Sequence, residues 1–252
     1  VLAAAFWLCA VLPGFLVLRE SPRVVGQCPD GAAVAPSGSN DGEELREGVP
    51  FATALRSRTL WCLALGSASI WFSIQAITSQ FTIYLEQDAG LQPLQATRLY
   101  STLLACSVAG KFLFGAISDR FTKRSMMLVA SSVLLLGCLQ LFSLENGALG
   151  LAHAPARLMA FAVVFGLGFG GSFTLIQLVA VESSGQPALG RILGVIIFID
   201  TMGGALGTLL AGQIRTTTGD YFQSFSVVTV VAIIAVINVL MIPTVQRSGS
   251  ER

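Results

Sequence analysis

The feature that most constrains this sequence is a series of long apolar runs separated by polar connections. A helix needs roughly 20 mostly apolar residues to cross about 30 Å of hydrocarbon. Seven runs match or approach this length, the first of them cut short, at about 1–18, 59–85, 97–118, 125–144, 157–181, 190–213 and 222–244. They lack the alternation of a membrane β-barrel. We therefore predict an all-α polytopic membrane protein.

Charge is scarce in this chain. Of its 252 residues, 12% are charged and 54% are hydrophobic, whereas a soluble domain is about 25% charged. Such a chain cannot cover a globular surface with solvated side chains. The 15 Lys and Arg against 14 Asp and Glu leave a net charge of +1, so there is no basic face. These values exclude an ordinary cytosolic enzyme, a disordered protein and a nucleic-acid-binding protein.

The long polar stretch between the first two runs divides the chain. It extends from Arg19 to Arg58 and is rich in Gly, Pro, Ser and acidic residues, with no helical or strand period until about Phe51. We interpret 1–18 as the end of a membrane helix, 19–55 as a flexible loop, 56–246 as a six-helix bundle and 247–252 as a tail. Because Val1 already lies in an apolar run, we expect a fragment of a longer protein.

Lys and Arg are unequally divided between alternate loops. Only Arg98, Arg157 and Arg215 fall on one side, and eleven cations fall on the other: Arg19, Arg23, Arg46, Arg56, Arg58, Arg120, Lys123, Arg124, Arg191, Arg247 and Arg252. Cytoplasmic loops carry the excess of basic residues. We therefore predict a multi-pass protein of the plasma (inner) membrane, with the loop 19–55 and the C-terminus in the cytoplasm.

The sequence predicts no metal, no disulfide framework and no cofactor. Its five cysteines occur singly, without a CxxC or Cys/His cluster: Cys9, Cys28, Cys62, Cys106 and Cys138. An intramembrane enzyme is also disfavoured. The single histidine, His153, falls in a short external loop, and neither an HExxH motif nor an embedded Ser/His or Asp/Asp pair is present.

Two ionisable residues fall inside predicted spans, where a charge costs about 2.5–3.5 kcal/mol on insertion scales. Lys111 lies seven residues before Ser118, on the order of 10 Å from the boundary. It either attracts an anionic substrate or extends toward the headgroups. Asp200 lies near the midplane. It pairs with Lys111, carries a proton, or is a buried carboxyl bonded to a neighbouring helix.

Uncharged polar residues in the spans are weaker candidates for substrate contacts. Gln75, Thr78 and Gln80 lie within two helical turns of one another, and Gln177 lies in a later span. Hydrogen bonds between helices use the same residue types. We include Gln75, Gln80 and Gln177 among the candidate substrate-binding residues.

Glycines are concentrated in two spans. One literally contains a GxGxxG pattern, but no strand precedes it, so close helix packing explains it better than a dinucleotide site. We predict the same role in the span of Asp200. The residues are Gly166, Gly168, Gly170 and Gly171 in the first, and Gly203, Gly204, Gly207 and Gly212 in the second.

The most specific stretch is Gly115-Ala-Ile-Ser-Asp119-Arg120-Phe-Thr-Lys123-Arg124, the end of one span and a short basic loop. A plain positive-inside loop explains the cations but not the whole pattern. The stretch resembles the signature loop of the major facilitator superfamily, Gly-x-Leu-Ala-Asp-Arg-x-Gly-Arg-Lys. Thr122 stands where the signature has its second glycine, which weakens the expected tight turn.

The resemblance covers essentially the whole chain and implies a C-terminal half. The first run resembles the sixth helix, the polar stretch the central cytoplasmic loop, and the block of six resembles helices seven to twelve. The missing N-terminal six-helix bundle and membrane lipid would be its partners. Helices seven, eight, ten and eleven would line the cavity, while nine and twelve would face lipid.

Among subfamilies the chain most resembles the oxalate/formate antiporters and monocarboxylate transporters, because Gly110-Lys111 occupies the place of their Gly-Arg. The resemblance implies that Lys111 contacts a substrate carboxylate, without the bidentate geometry of Arg. With Asp200, this suits a small monocarboxylate or an amphoteric solute, moved by alternating access with possible proton coupling. The alternative is a non-transporting half: a remnant, an assembly partner or a sensor.

Overall fold

The computed structural model describes residues 51–145, 155–184 and 189–242, which are helical with short connections and contain no strand. The first span (1–18), most of the loop 19–55, the end of the last span and the tail 247–252 lie outside the described residues. The described helices are α1 (Phe51–Ala54), α2 (Arg58–Gln87), α3 (Pro93–Ser118), α4 (Lys123–Glu145), α5 (Pro155–Ser184), α6 (Leu189–Thr218) and α7 (Phe222–Leu240).

Helices α2 to α7 are all long and apolar enough to cross a membrane, which confirms the predicted fold class. Five of the six begin or end beyond the predicted spans. Ser57 begins α2, and its side chain accepts a hydrogen bond from the Leu60 amide at 3.2 Å. Pro93 occupies the first turn of α3, where its missing N–H costs nothing. Helix α7 ends at Leu240, before the predicted boundary, because Pro243 disfavours continuation.

The packing order of the helices differs from their order in the chain. Helix α5 packs between α3 and α4, α4 also packs against α7, and α7 and α6 both pack against α2. The neighbours therefore follow the order α3, α5, α4, α7, α2, α6. The helices at the two ends of this order are the least covered. In α3 and in α6, only 28% of the apolar membrane-spanning stretch is buried inside the bundle, against 67% in α2.

The glycines of α5 allow its backbone to approach two helices at once. A Cβ atom built at Gly166 would lie 2.5 Å from the Leu103 carbonyl oxygen of α3, and one at Gly168 would lie 2.5 Å from the Leu134 nitrogen of α4. No side chain fits at these distances. The packing role predicted for the GxGxxG pattern is thus confirmed.

Helix α6 uses its glycines in the same way against α2. A Cβ atom at Gly203 would lie 2.5 Å from the Ala68 carbonyl oxygen, and one at Gly204 would lie 2.9 Å from Cγ of Gln75. These contacts hold the middle of α6, where Asp200 lies, directly against the middle of α2.

Candidate functional site

A cavity of about 340 Å³ opens between α2, α5 and α6. Its walls are mostly apolar and aromatic, with a few polar groups, as is usual for small-molecule sites. The lining residues are Trp71, Gln75, Phe173, Ile176, Gln177, Leu193, Ile196, Ile197, Asp200, Thr201 and Gly204. Three of the five predicted substrate-binding residues, Gln75, Gln177 and Asp200, are therefore brought together in this cavity.

Asp200 lies in the cavity wall and is only 6% exposed. Its Oδ1 accepts a hydrogen bond from the hydroxyl of Ser67 on α2 at 2.5 Å, and Ser67 is fully buried. Asp200 and Lys111 form no salt bridge, so the pairing alternative is not what the structure contains. The carboxyl instead joins α2 to α6 while lining the cavity.

Lys111 lies beside the cavity, over one of its aromatic walls. Its ammonium nitrogen is 4.4 Å from the centroid of the Phe173 ring, and Phe173 meets Trp71 edge-on at 5.9 Å. A cation over a ring face is attracted by the ring quadrupole. The Lys111 side chain therefore contacts α5 at a residue of the cavity wall.

The glutamines have different surroundings. Gln75 and Gln177 are exposed to the cavity, and Gln75 Oε1 accepts a hydrogen bond from the Thr78 hydroxyl at 3.3 Å. Gln80 is not among the cavity residues. Its Oε1 accepts a hydrogen bond from the Tyr221 hydroxyl at 3.2 Å, because it lies about a turn and a half further along α2, near α7.

Gln80 belongs to a polar cluster that joins the ends of α2, α6 and α7. Arg215 on α6 forms a salt bridge with Asp88 after α2 at 3.1 Å, and its guanidinium lies over the Tyr221 ring at 4.7 Å. Tyr221 also meets Tyr84 edge-on at 5.4 Å. Burial raises the pKa of Tyr221, and the neighbouring Arg215 only partly opposes this. The phenol therefore remains a neutral donor.

The signature loop is at the opposite end of the bundle. Asp119 and Arg120 are exposed, Lys123 begins α4, and Gly115 has the Thr174 methyl of α5 in ordinary contact, 3.8 Å from where a Cβ would stand. Arg124 donates a hydrogen bond to the Leu240 carbonyl at 2.7 Å. The loop is thereby tied to the end of α7.

Thr122 replaces the second signature glycine without a strained turn. Its carbonyl accepts the Met126 amide at 3.1 Å, the first bond of α4, and its hydroxyl donates to Ser125 Oγ at 2.7 Å. Threonine is favoured immediately before a helix. Among the described glycines, positive φ angles occur at Gly90 and Gly219, in other connections.

Sequence reasoning missed Ser67 and the aromatic wall formed by Trp71 and Phe173. Serines and aromatic residues are common in membrane helices, so neither carried a signal. Asp88 and Arg215 were recognised only as loop charges; their opposite signs at the ends of two helices on one side were a usable clue. In the described part of the chain, no three His, Cys, Asp or Glu side chains cluster as a metal site would require.

These features describe a polytopic membrane protein, a helical bundle with a partly polar cavity among its helices. The family model described as Major Facilitator Superfamily matches residues 1–208. The chain therefore belongs to the major facilitator superfamily.

Similar curated proteins are transporters. Monocarboxylate transporter 13 of Rattus norvegicus is 33% identical over 148 residues, covering 56% of this chain and 32% of that protein. The uncharacterized MFS-type transporter YcxA of Bacillus subtilis (strain 168) is 27% identical over 175 residues, covering 69% and 42%. The efflux pump aflT of Aspergillus parasiticus is 29% identical over 174 residues, covering 67% and 32%. The matches thus span less than half of each relative.

Proposed function

We propose that this chain is the C-terminal half of a secondary active transporter that moves a small organic anion, such as a monocarboxylate, across the plasma (inner) membrane. The observation that carries the proposal is the ammonium of Lys111 over the ring of Phe173, a wall of the cavity that also contains Asp200. A membrane helix holds a cation at this depth only where it has a partner or a role. The ring is a weak partner, and a carboxylate would be a stronger one.

The remaining cavity residues suit a short anion with an apolar body. Gln75 and Gln177 offer amide donors, and Trp71, Ile176 and Ile196 offer apolar contact. Lys111 would attract the carboxylate as a point charge, while the apolar wall would accept the hydrocarbon part. The monocarboxylate transporters among the similar proteins support this substrate class.

Asp200 is our candidate for proton coupling. It is a carboxyl in the cavity wall with one hydrogen-bond donor, Ser67, so a change in its protonation would alter both the charge of the cavity and the contact between α2 and α6. In proton symport and proton antiport this change would occur at different stages of the transport cycle, whereas uncoupled exchange would not require it. If transport is not coupled to a proton, the alternative substrate is an amphoteric solute whose ammonium group contacts Asp200.

The missing N-terminal bundle would complete the site. Large apolar side chains remain exposed on α3 and α6, including Phe112 at 76% and Phe198 at 67%, and these two helices end the packing order. We infer that the second bundle covers them and that α4 and α7 face lipid. The bundles would then rock about the cavity in alternating access, with Asp119 and its loop contacting the second bundle on the cytoplasmic side.

The test is uptake by the full-length protein reconstituted in vesicles. The panel contains lactate, oxalate, an α-amino acid and tetraethylammonium. We expect lactate uptake, and Lys111→Gln should weaken its apparent affinity by about tenfold or more, the value of one charge-assisted hydrogen bond. Arg98→Gln, which removes an exposed cation of the same helix, is the matched control and should change little.

Two outcomes would contradict the proposal. If the protein prefers tetraethylammonium and Lys111→Gln does not change uptake, the cavity does not contain an anion site. Absence of both net uptake and exchange for every solute, in a protein that is folded and inserted, would favour the non-transporting alternative.

A further inference from the structure

The glycines of α6 that face α2 do not all meet the same kind of atom. A Cβ atom built at Gly203 would lie 2.5 Å from the Ala68 carbonyl oxygen, and one at Gly207 would overlap the Phe72 carbonyl oxygen. Both contacts are with backbone, which cannot yield unless the two helices separate. The contacts advance by four residues on each helix, so α2 and α6 run in the same direction and stay close along this stretch.

Gly204 is different because it faces a side chain. A Cβ atom there would lie 2.9 Å from Cγ and 3.7 Å from Cβ of Gln75. The closest backbone atom of α2, the Trp71 carbonyl oxygen, would lie 3.8 Å away, in ordinary contact. A methyl group added at Gly204 would therefore displace the side chain of Gln75 and leave the two helices at the same distance.

The side chain of Gln75 would be displaced into the cavity of the candidate site. Gly204 and Gln75 both line this cavity of about 340 Å³, and Gln75 is an exposed residue. Its amide oxygen accepts a hydrogen bond of 3.3 Å from the Thr78 hydroxyl on the same helix, which is long for a hydroxyl donor and therefore weak. The free space beside the side chain is the cavity itself. Glycine at position 204 thus lets Gln75 lie back against α6 and keeps the cavity open.

We propose that Gly204 and Gln75 together set the largest solute that the cavity accepts. The inference rests on the proposed function, because it takes a small organic anion as the solute. Among mostly apolar walls, each buried methylene of the solute improves the affinity by about fourfold. A protein group that occupies the same volume removes this gain for large solutes and leaves small ones unaffected.

The test measures a ratio of affinities with full-length protein purified in detergent. Acetate, butyrate and hexanoate compete with radiolabelled lactate for binding, and the ratio of the hexanoate affinity to the acetate affinity reports the size limit. The ratio cancels effects that are common to every acid, such as a lost amide donor to the carboxylate. Gly204→Ala should lower the ratio by about fourfold or more. Gly190→Ala, whose added methyl group would meet nothing within 4 Å on the same helix, is the matched control and should leave it unchanged.

A second variant tests whether Gln75 mediates the effect. Gln75→Ala should raise the ratio by about fourfold or more, because it clears the volume that the glutamine occupies. In this background Gly204→Ala should have little effect, because its methyl group would stand 3.7 Å from the remaining Cβ at position 75 and displace nothing. Melting temperatures establish which variants fold, and Gln75→Ala alone tests the size limit if Gly204→Ala does not.

Three results would overturn the proposal. They are an unchanged ratio for Gly204→Ala, an unchanged or lower ratio for Gln75→Ala, and equal effects of Gly204→Ala in the two backgrounds. Failure of the proposed function gives a different result, in which the parent protein binds no lactate, and the size limit then fails with it. Lactate binding together with any of the three results removes the size limit alone.

Discussion

The hydroxyl of Ser67 on α2 donates a hydrogen bond to Oδ1 of Asp200 on α6 at 2.5 Å. Both residues are buried, and the glycines of α6 next to Asp200 bring the two helices into backbone contact. A carboxyl in this position is therefore both a packing element and a wall of the cavity.

Replacing Asp200 by Asn separates these two roles. Asn keeps an oxygen that accepts from Ser67 but cannot take up a proton, so we expect a folded protein whose uptake no longer varies with pH. Ser67→Ala is the matched control: it removes the hydrogen bond, at a cost of about 0.5–1.5 kcal/mol, but keeps the carboxyl. Initial uptake rates between pH 5.5 and 8 measure the difference, and a normal pH profile for Asp200→Asn would exclude Asp200 as the coupling group.

The contact of α6 with α2 predicts a large difference between two glycines of the same helix. A Cβ at Gly203 would meet the Ala68 carbonyl at 2.5 Å, whereas one at Gly190 would meet nothing within 4 Å. We expect Gly203→Ala to destabilise the protein by roughly 1–3 kcal/mol through overpacking. Gly190→Ala should leave stability unchanged or slightly raised. Melting of the two variants in detergent checks this, and similar melting temperatures would mean that α2 and α6 are further apart.

The hydrogen bond from Tyr221 to Gln80 predicts a stability effect that is constant across physiological pH. Tyr221→Phe should cost about 0.5–1.5 kcal/mol, and Tyr100→Phe, on α3, should cost less. Burial raises the pKa of Tyr221, so the stabilisation is fully present below the ordinary tyrosine pKa of about 10. It is lost only as the pH rises through the higher folded value. Melting curves at pH 6, 7.5 and 9 should give the same difference, and a decline within this range would contradict the assignment.

Replacing Asp119 should slow the transport cycle. It is exposed at the end of α3 and is far along the chain from the cavity residues. We expect Asp119→Asn to slow net uptake by more than it weakens substrate binding. Rates of uptake and exchange, compared with equilibrium binding to the same preparation, make the distinction. Equal losses of rate and affinity would show that Asp119 acts on the site.

The six described membrane helices could be predicted within a few residues because their apolar length is a local property of the sequence. The close-packing role of the glycines could also be predicted, because small residues in membrane helices are enriched where two helices pack closely. Which helices they join was not predictable. Gly166 and Gly168, two residues apart, face α3 and α4 respectively, and this follows from the packing order.

The site was predictable only where a residue was costly in lipid. Lys111 and Asp200 stood out by charge, but their actual neighbours, Phe173 and Ser67, are 62 and 133 positions away in the sequence. Gln80 carried the same polarity as Gln75, but Gln75 lines the cavity whereas Gln80 accepts a hydrogen bond from Tyr221. Side-chain chemistry identified candidates, and helix packing decided which of them share a cavity.

The position of α5 has a consequence for biosynthesis. Helices α3 and α4 leave the ribosome before α5 but pack little against each other, since each packs mainly on α5. Both must therefore wait in the bilayer until α5 emerges and inserts between them. Bulky substitutions at Gly166 or Gly168 should therefore act during co-translational assembly. We expect α5 to fail to pack between α3 and α4, and the protein to be degraded before it can transport.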